Sequence, residues 1–318
     1  MRAVLIVNPN ATSTTPAGRD LLAHALESRV QLTVEHTNHR NHATEIARAA
    51  ALAGVDVVIV HGGDGTVNEV VNGVLGEPGH TPPWHPPAIG VVPGGSANVL
   101  ARSLGISPDP VEATNQLIDL LGTHGDGSWR RIGLMDCGER WAVFTAGLGV
   151  DGEVVAAVDA QREKGRKVTA ARYIRTTVPL VLRSSRREPT MTLHLPGRDP
   201  IDGVHFVFVS NSSPWTYINN RPVWTNPTTT YETGIGVFAT TGMKVFANLR
   251  LARQMLSKRP RMKAKHLVRD DDLPWLRVTS TTPAACQIDG EYLGPRRAMT
   301  FTAVREALSV VAPPAEPR

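Results

Sequence analysis

Over its first 105 residues the chain alternates apolar runs with amphipathic ones, and this restricts the fold more than any other feature. Residues 3–7, 31–35, 55–60 and 88–92 read as strands, and 16–29, 44–53, 66–75 and 96–104 as the helices between them. Residues 3–7 and 88–92 are apolar without a break and 55–60 is broken only by Asp56, as strands buried on both faces are. The expected architecture is α/β, a parallel sheet covered by helices on both sides.

Past a linker at 122–128, rich in glycine and polar residues, the pattern changes. Short strand candidates follow at 131–137, 141–146, 190–195, 204–210, 235–240, 275–280, 285–288 and 298–303, interrupted by helix candidates at 166–182 and 244–257. They predict an antiparallel, β-sandwich-like second domain. The division is 1–126 for the first domain, 127–304 for the second and 305–318 for a tail. A length of 318 residues suits two domains, and 41% apolar with 20% charged residues excludes disorder or a coiled coil as a whole-chain description.

Two cysteines, Cys137 and Cys286, exclude a disulfide scaffold and point to a reducing, cytoplasmic setting. The run 3–7 is too short for a signal peptide. Segment 78–101 is uncharged but holds six prolines, so it is no spanning helix. The net charge of +5 is unevenly placed. Segment 161–188 has nine Lys/Arg against two Glu, and 244–269 has nine and no acid, while the rest of the chain is net negative. An anionic partner is expected there. The only aromatics in these segments are Tyr173 and Phe246, which argues against nucleic acid.

In open parallel sheets ligands sit at the carboxyl ends of the strands. Three turns belong there: Asn8-Pro9-Asn10-Ala11, Gly62-Gly63-Asp64-Gly65-Thr66 and Pro93-Gly94-Gly95-Ser96. In the last two, glycines stand directly before a predicted helix. Glycine permits positive φ and close backbone approach, and a helix N-terminus suits phosphate. A carboxylate in such a turn needs a cation between itself and the phosphate, which makes Asp64 a candidate Mg²⁺ contact. The plain structural alternative is that Asp64 caps its own helix. Neither turn has the Gly-Lys-Ser/Thr of a P-loop nor the Gly-x-Gly-x-x-Gly of a dinucleotide fold.

These motifs, with Asn68-Glu69 and with Asn98-Val99-Leu100-Ala101-Arg102, resemble the diacylglycerol kinase catalytic domain, in a family that includes sphingosine and ceramide kinases. The resemblance continues through Gly147-Leu148-Gly149-Val150-Asp151-Gly152-Glu153 and Ile288-Asp289-Gly290-Glu291. It implies an active site in a cleft between two domains, ATP and Mg²⁺ as cofactors, and a tail that returns to the first domain. Its nucleotide contacts fall on Asn8, Thr37, Gly62, Gly63, Asp64, Gly65, Thr66, Asn68, Glu69, Gly94, Gly95, Ser96, Asp289 and Gly290. The same resemblance implies Asp64 and Glu291 as the catalytic pair, with Glu291 as proton acceptor, where local sequence alone reads Asp289-Gly290-Glu291 as a β-turn with two solvated acids. Glu69 has a bland alternative as a capping-box acid. Asp289 has one as a support; for Asp151 and Glu153 two readings stand, capping the helix they open or helping to order water and metal in the cleft.

The implied reaction is transfer from ATP to diacylglycerol, giving phosphatidic acid for phospholipid metabolism. Alternative acceptors are a sphingoid base, ceramide or a polyprenol; more distant readings are NAD kinase and a non-catalytic regulator. Relatives carry a structural Mg²⁺ site that would fall at 226–236, where Glu232 is the one acid, so this site is expected absent or weak. His36, His39 and His42 read as a solvated loop rather than a metal site. A lipid substrate implies peripheral contact with an anionic membrane through 161–188 and 244–269. A homodimer is left open.

Overall fold

The four strand candidates of the first 105 residues form parallel strands β1 (Arg2–Val7), β2 (Gln31–His36), β3 (Val57–Gly62) and β4 (Ala88–Pro93). The computed structural model describes residues 1–11, 15–123, 129–163, 179–181, 183–184, 186–218, 221–257 and 262–315. The strand order is β4-β3-β1-β2. Val7 pairs with both His36 and His61, and Gly62 with Pro93, so the four carboxyl ends lie level. The order reverses at β1, which places the crevice of an open α/β sheet between the ends of β1 and β3.

β1, β3 and β4 are buried almost throughout, and Leu5, Ile59 and Leu117 share one core cluster with Leu22 and Leu26. β2 is the exception. It is an edge strand exposed at five of six residues, which is why its sequence alternates instead of running apolar.

The helices are α1 (Pro16–Glu27), α2 (His42–Leu52), α3 (Asp64–Leu75), α4 (Val99–Ser103) and α5 (Pro110–Gly122). α1 starts where Thr15 accepts from the Gly18 amide and Pro16 sets the first turn. α5 lies between the segments assigned from sequence. Its start repeats that chemistry: Asp109 caps the Val111 and Glu112 amides, with Pro110 at the first position.

Contacts divide the chain into Met1–Val143 with Arg305–Arg318, and Phe144–Val304. The first unit therefore runs past residue 126 to take in β5 (Arg130–Asp136) and β6 (Trp141–Ala142). Both lie there because β5 pairs with β6 and with the last strand, β16 (Glu291–Val310), whose end also pairs Val310 beside Ile89.

The second unit holds β7 (Thr145–Gly149), α6 (Val150–Glu163), β8 (Met191–His194), β9 (Ile201–Val204), β10 (Phe206–Ser210), β11 (Thr216–Ile218), β12 (Arg221–Val223), β13 (Ile235–Thr240), α7 (Val245–Met255), β14 (Leu267–Leu273) and β15 (Trp275–Ile288). Its strands run antiparallel in the order β14-β13-β10-β7-β15-β16. β15 joins two strand candidates into one: residues 277–280 pair with β8 and 286–288 with β7, across a register break after Thr279. The expected helix at 166–182 falls almost wholly outside the described residues, as does most of the linker.

The loop 226–236 is not as poor in acid as its sequence suggests. Asp271 Oδ1 accepts from Asn226 Nδ2 at 3.0 Å and from Thr229 Oγ1 at 2.8 Å. Asp272 Oδ1 accepts from the Gly234 amide at 2.7 Å. Two carboxylates of β14 thus brace this loop from 35 or more residues away.

Candidate functional site

At the β1–β3 crevice the Asn8 side chain ties two turns together. Its Nδ2 donates to Thr66 Oγ1 at 3.0 Å, and its Oδ1 accepts from the Asn10 amide at 3.0 Å. Its backbone amide donates to the His61 carbonyl, and the Thr37 amide to that of Val7. A polar cavity of about 280 Å³ opens here, lined by Asn8, Asn10, Thr37, Arg40, Thr66 and Glu69 among others. Four residues expected to bind nucleotide thus line one cavity. Asn10 belongs to a turn expected at this edge, whereas Arg40 carries no sequence signal for the site and adds a cation to the wall.

The glycines of the two turns are there for proximity, not for positive φ: Gly62, Gly63, Gly65, Gly94 and Gly95 all lie outside the left-handed region. A Cβ on Gly95 would stand 2.8 Å from Gly63 Cα, and one on Gly94 3.0 Å from Gly62 Cα. The Gly94 amide donates to the Gly62 carbonyl at 2.8 Å. The turns after β3 and β4 therefore pack backbone to backbone. Gly65 differs, since its Cβ would meet nothing within 4 Å.

Gly63 is the N-cap of α3 and has no side chain with which to cap it. The first turn of α3 stands directly after the carboxyl end of β3, a placement suited to phosphate. The turn after β4 is different. α4 begins at Val99, not at Ser96, because Asn98 is left-handed at φ 49 and its side chain closes on Gly95 through both oxygen and nitrogen. The first amide of α4 is already taken: Val99 N donates to Asp64 Oδ1 at 2.7 Å.

Asp64 thus caps a helix, but a neighbouring one and not its own. Glu69 behaves likewise. Its Oε2 accepts from the Ala43 amide at 3.2 Å, serving the start of α2, whose N-cap Asn41 makes no side-chain cap. Asn68 turns away from the cavity. It is buried, and its amide engages the Trp141 carbonyl, Asn72 and Arg140, so it packs α3 on β6 rather than facing a ligand. Burial lowers the pKa of His61, whose Nδ1 lies 3.2 Å from the Val92 carbonyl. His39 and His42 stack with ring centroids 4.5 Å apart. Among the described residues no group of three His, Cys, Asp or Glu is placed to hold a metal.

In the second unit Asp289 and Gly290 form the two-residue turn of the β15–β16 hairpin, with φ 49 and 77, and Ile288 pairs with Glu291. Positive φ at both positions is the geometry of a type I′ turn, which Asp-Gly favours. Asp289 Oδ1 accepts from the Phe144 and Thr145 amides at 2.9 and 2.8 Å. That is a support for the turn. Glu291 follows directly, partly exposed. Nearby, burial pushes the Asp151 carboxyl up to about 6, opposed by the hydrogen bond from Gln287.

Residues 2–126 match the diacylglycerol kinase catalytic domain. A diacylglycerol kinase of Bacillus subtilis is 39% identical over 114 residues, which is 35% of each chain. A Chromohalobacter salexigens protein named probable lipid kinase YegS-like is 35% identical over 128 residues, 38% of this chain and 40% of that one. Sphingosine kinase 1 of Arabidopsis thaliana is 30% identical over 149 residues, 46% of this chain and 30% of its own. The chain spans two fifths or less of the length of these curated relatives. A diacylglycerol kinase crystal structure from Bacillus anthracis superposes with a TM-score of 0.70 at 16% identity, covering 98% of this chain and 97% of that one. The fold is therefore shared along the whole chain.

Proposed function

We propose that the chain is an ATP-dependent lipid kinase that phosphorylates the free hydroxyl of diacylglycerol to give phosphatidic acid. The observation that carries this reading is the polar cavity at the β1–β3 crevice, with Asn8, Thr37 and Thr66 in its wall, within the residues that match the kinase domain. In this reading Asn8 and Thr66 orient the nucleotide, Arg40 offsets phosphate charge, and Gly65 leaves room for close approach. Asp64 fits a nucleotide-bound Mg²⁺: it is a hard oxygen donor at the start of α3, half-buried and fixed by Val99. Mg²⁺ bound there would neutralise charge on the phosphate oxygens. Glu291 accepts the proton that the acceptor hydroxyl releases.

Support for a lipid surface comes from α7. Leu251 is buried in a cluster with Phe208 and Phe238, while Leu249 and Leu256 are 61% and 49% exposed beside exposed Arg250 and Arg253. An amphipathic basic helix of this kind suits an anionic bilayer surface. No helix among the described residues is long and apolar enough to cross a membrane. Arg172, Arg175, Lys258, Arg259 and Arg261, expected to share in docking, lie outside the described residues.

The relative named sphingosine kinase supports a second reading, with a sphingoid base as acceptor. Transfer of label from ATP to vesicles containing diacylglycerol, ceramide, sphingosine or polyprenol tests both. Diacylglycerol should be labelled fastest; exclusive labelling of another acceptor overturns the substrate, and labelling of none overturns the kinase.

A further inference from the structure

We propose that Gln287 is a positioning residue for Glu291, acting with Asp151 and Asp159 of α6 to clamp the hairpin backbone on both sides of it. The proposal rests on the reading of Glu291 as proton acceptor. Gln287 lies on β15 between β7 and β16, paired with Gly147 and Tyr292, and is 2% exposed. A buried amide must satisfy both its ends. Its Oε1 accepts from the Gly290 amide at 2.9 Å. Because a backbone amide can only donate, this contact fixes which way the side chain points. Its Nε2 then donates to Asp151 Oδ2 at 2.7 Å.

Asp151 is seated for that contact by two glycines. A Cβ on Gly147 would lie 2.0 Å from Asp151 Oδ2, and one on Gly152 would lie 2.4 Å from the Ala285 carbonyl. Neither position admits a side chain without moving α6 or its carboxylate. On the other side of Glu291, the Tyr292 amide donates to Asp159 Oδ2 at 3.3 Å. Asp151 and Asp159 are eight apart, so they share a face of α6. One helix face thus holds the residue before Glu291, through Gln287, and the residue after it directly. With Asp289 held by Phe144 and Thr145, the tip has three independent anchors. A general base works only within hydrogen-bond reach, and misplacement by about 1 Å can cost about 100-fold in rate.

The test compares Gln287→Leu, Asp151→Leu and Asp151→Asn in the full chain. Hydrogen exchange of the 287–292 peptide is read beside kcat and ATP KM on phosphatidylglycerol vesicles containing diacylglycerol. Both Leu variants should speed tip exchange about 10-fold, with exchange in β1 unchanged. They should lower kcat about 10- to 100-fold with ATP KM within about two-fold of the parent. Asp151→Asn keeps an oxygen acceptor for Gln287 and should retain parental exchange and kcat. Unchanged tip exchange in Gln287→Leu overturns the clamp, as does a loosened tip with parental kcat. Asp151→Asn as slow as Asp151→Leu overturns it too, since charge rather than position would then matter. Glu291→Gln separates the two claims: parental turnover there removes the base reading, and tip exchange alone then decides the clamp. The exchange measurement also decides it if diacylglycerol is not phosphorylated.

Discussion

Replacing Asp64 separates a metal role from a structural one, provided two substitutions are compared. Asp64→Ala removes the acceptor for Val99 N, a charge-assisted bond at 2.7 Å that starts α4. Losing an N-cap costs about 0.5–2 kcal/mol, and a hydrogen bond to a charged group contributes about 1.5–3 kcal/mol. With partial exposure, a loss of about 1–2 kcal/mol is expected, or roughly 3–8 °C in Tm for a unit of this size. Asp64→Asn keeps the oxygen and should melt within about 2 °C of the parent. Both remove the anionic oxygen that a hard cation needs, so both should lower kcat at least about 100-fold at saturating ATP. Scanning calorimetry and label transfer at several Mg²⁺ concentrations give the two readouts. Parental turnover in Asp64→Asn refutes the metal assignment, and parental Tm in Asp64→Ala refutes the cap.

Gly95→Ala places a methyl 2.8 Å from Gly63 Cα and should destabilise by about 1–3 kcal/mol, whereas Gly65→Ala should leave Tm unchanged and raise ATP KM; equal Tm values for the two in a thermal melt refute the packing argument. Asp151 is an acid whose pKa rises from 3.8 to about 6 on folding, so its stabilising contribution is complete below pH about 4 and is lost as pH rises through about 6. Asp151→Asn should therefore gain stability relative to the parent across that window and hold the gain above it; a difference flat from pH about 4 to 8 refutes the shift. Vesicle co-sedimentation should rise with anionic lipid and fall with salt, and Leu249→Glu should weaken it without changing Tm, because Leu249 is exposed. Equal binding to neutral and anionic vesicles refutes the docking face.

The parallel sheet and the three turns at its carboxyl edge are legible in apolar runs, because burial on both faces leaves a local mark in sequence, whereas the strand order β4-β3-β1-β2 rests on pairings that no run of sequence shows. The turn at Asp289-Gly290 is legible on other grounds, a short apolar run that ends at a glycine. The purpose of the glycines was not. Their pairing, Gly62 with Gly94 and Gly63 with Gly95, joins residues 32 apart, and no single window of sequence shows that two turns touch. The helix expected from Ser96 starts at Val99 because Asn98 adopts a left-handed conformation, which propensity does not reveal. Gln287 carried no signal in its short apolar strand, since its partners lie on a helix 136 residues away and in the turn beyond it.

The acids of this chain also correct a habit of motif reading. Asp64 caps α4, Glu69 the start of α2, Asp289 the backbone entering β7, and Asp272 the turn at Gly234. Each serves an element distant in sequence from its own, so each would be costly to delete even if it touched no ligand. A loss of activity on alanine substitution therefore carries little weight for any of them: removal of a buried acceptor leaves a backbone amide unpaired, at about 1–3 kcal/mol, and shifts the turn that carries the neighbouring groups. An amide substitution keeps the acceptor and removes only the charge. Where Asp→Asn or Glu→Gln abolishes transfer while the melt is unchanged, the carboxylate acts in the reaction; where it leaves transfer intact and alanine does not, the acid is part of the frame. By that criterion Asp64 and Glu291 should fall in the first class, and Asp289, whose Oδ1 is shared by two backbone amides, in the second.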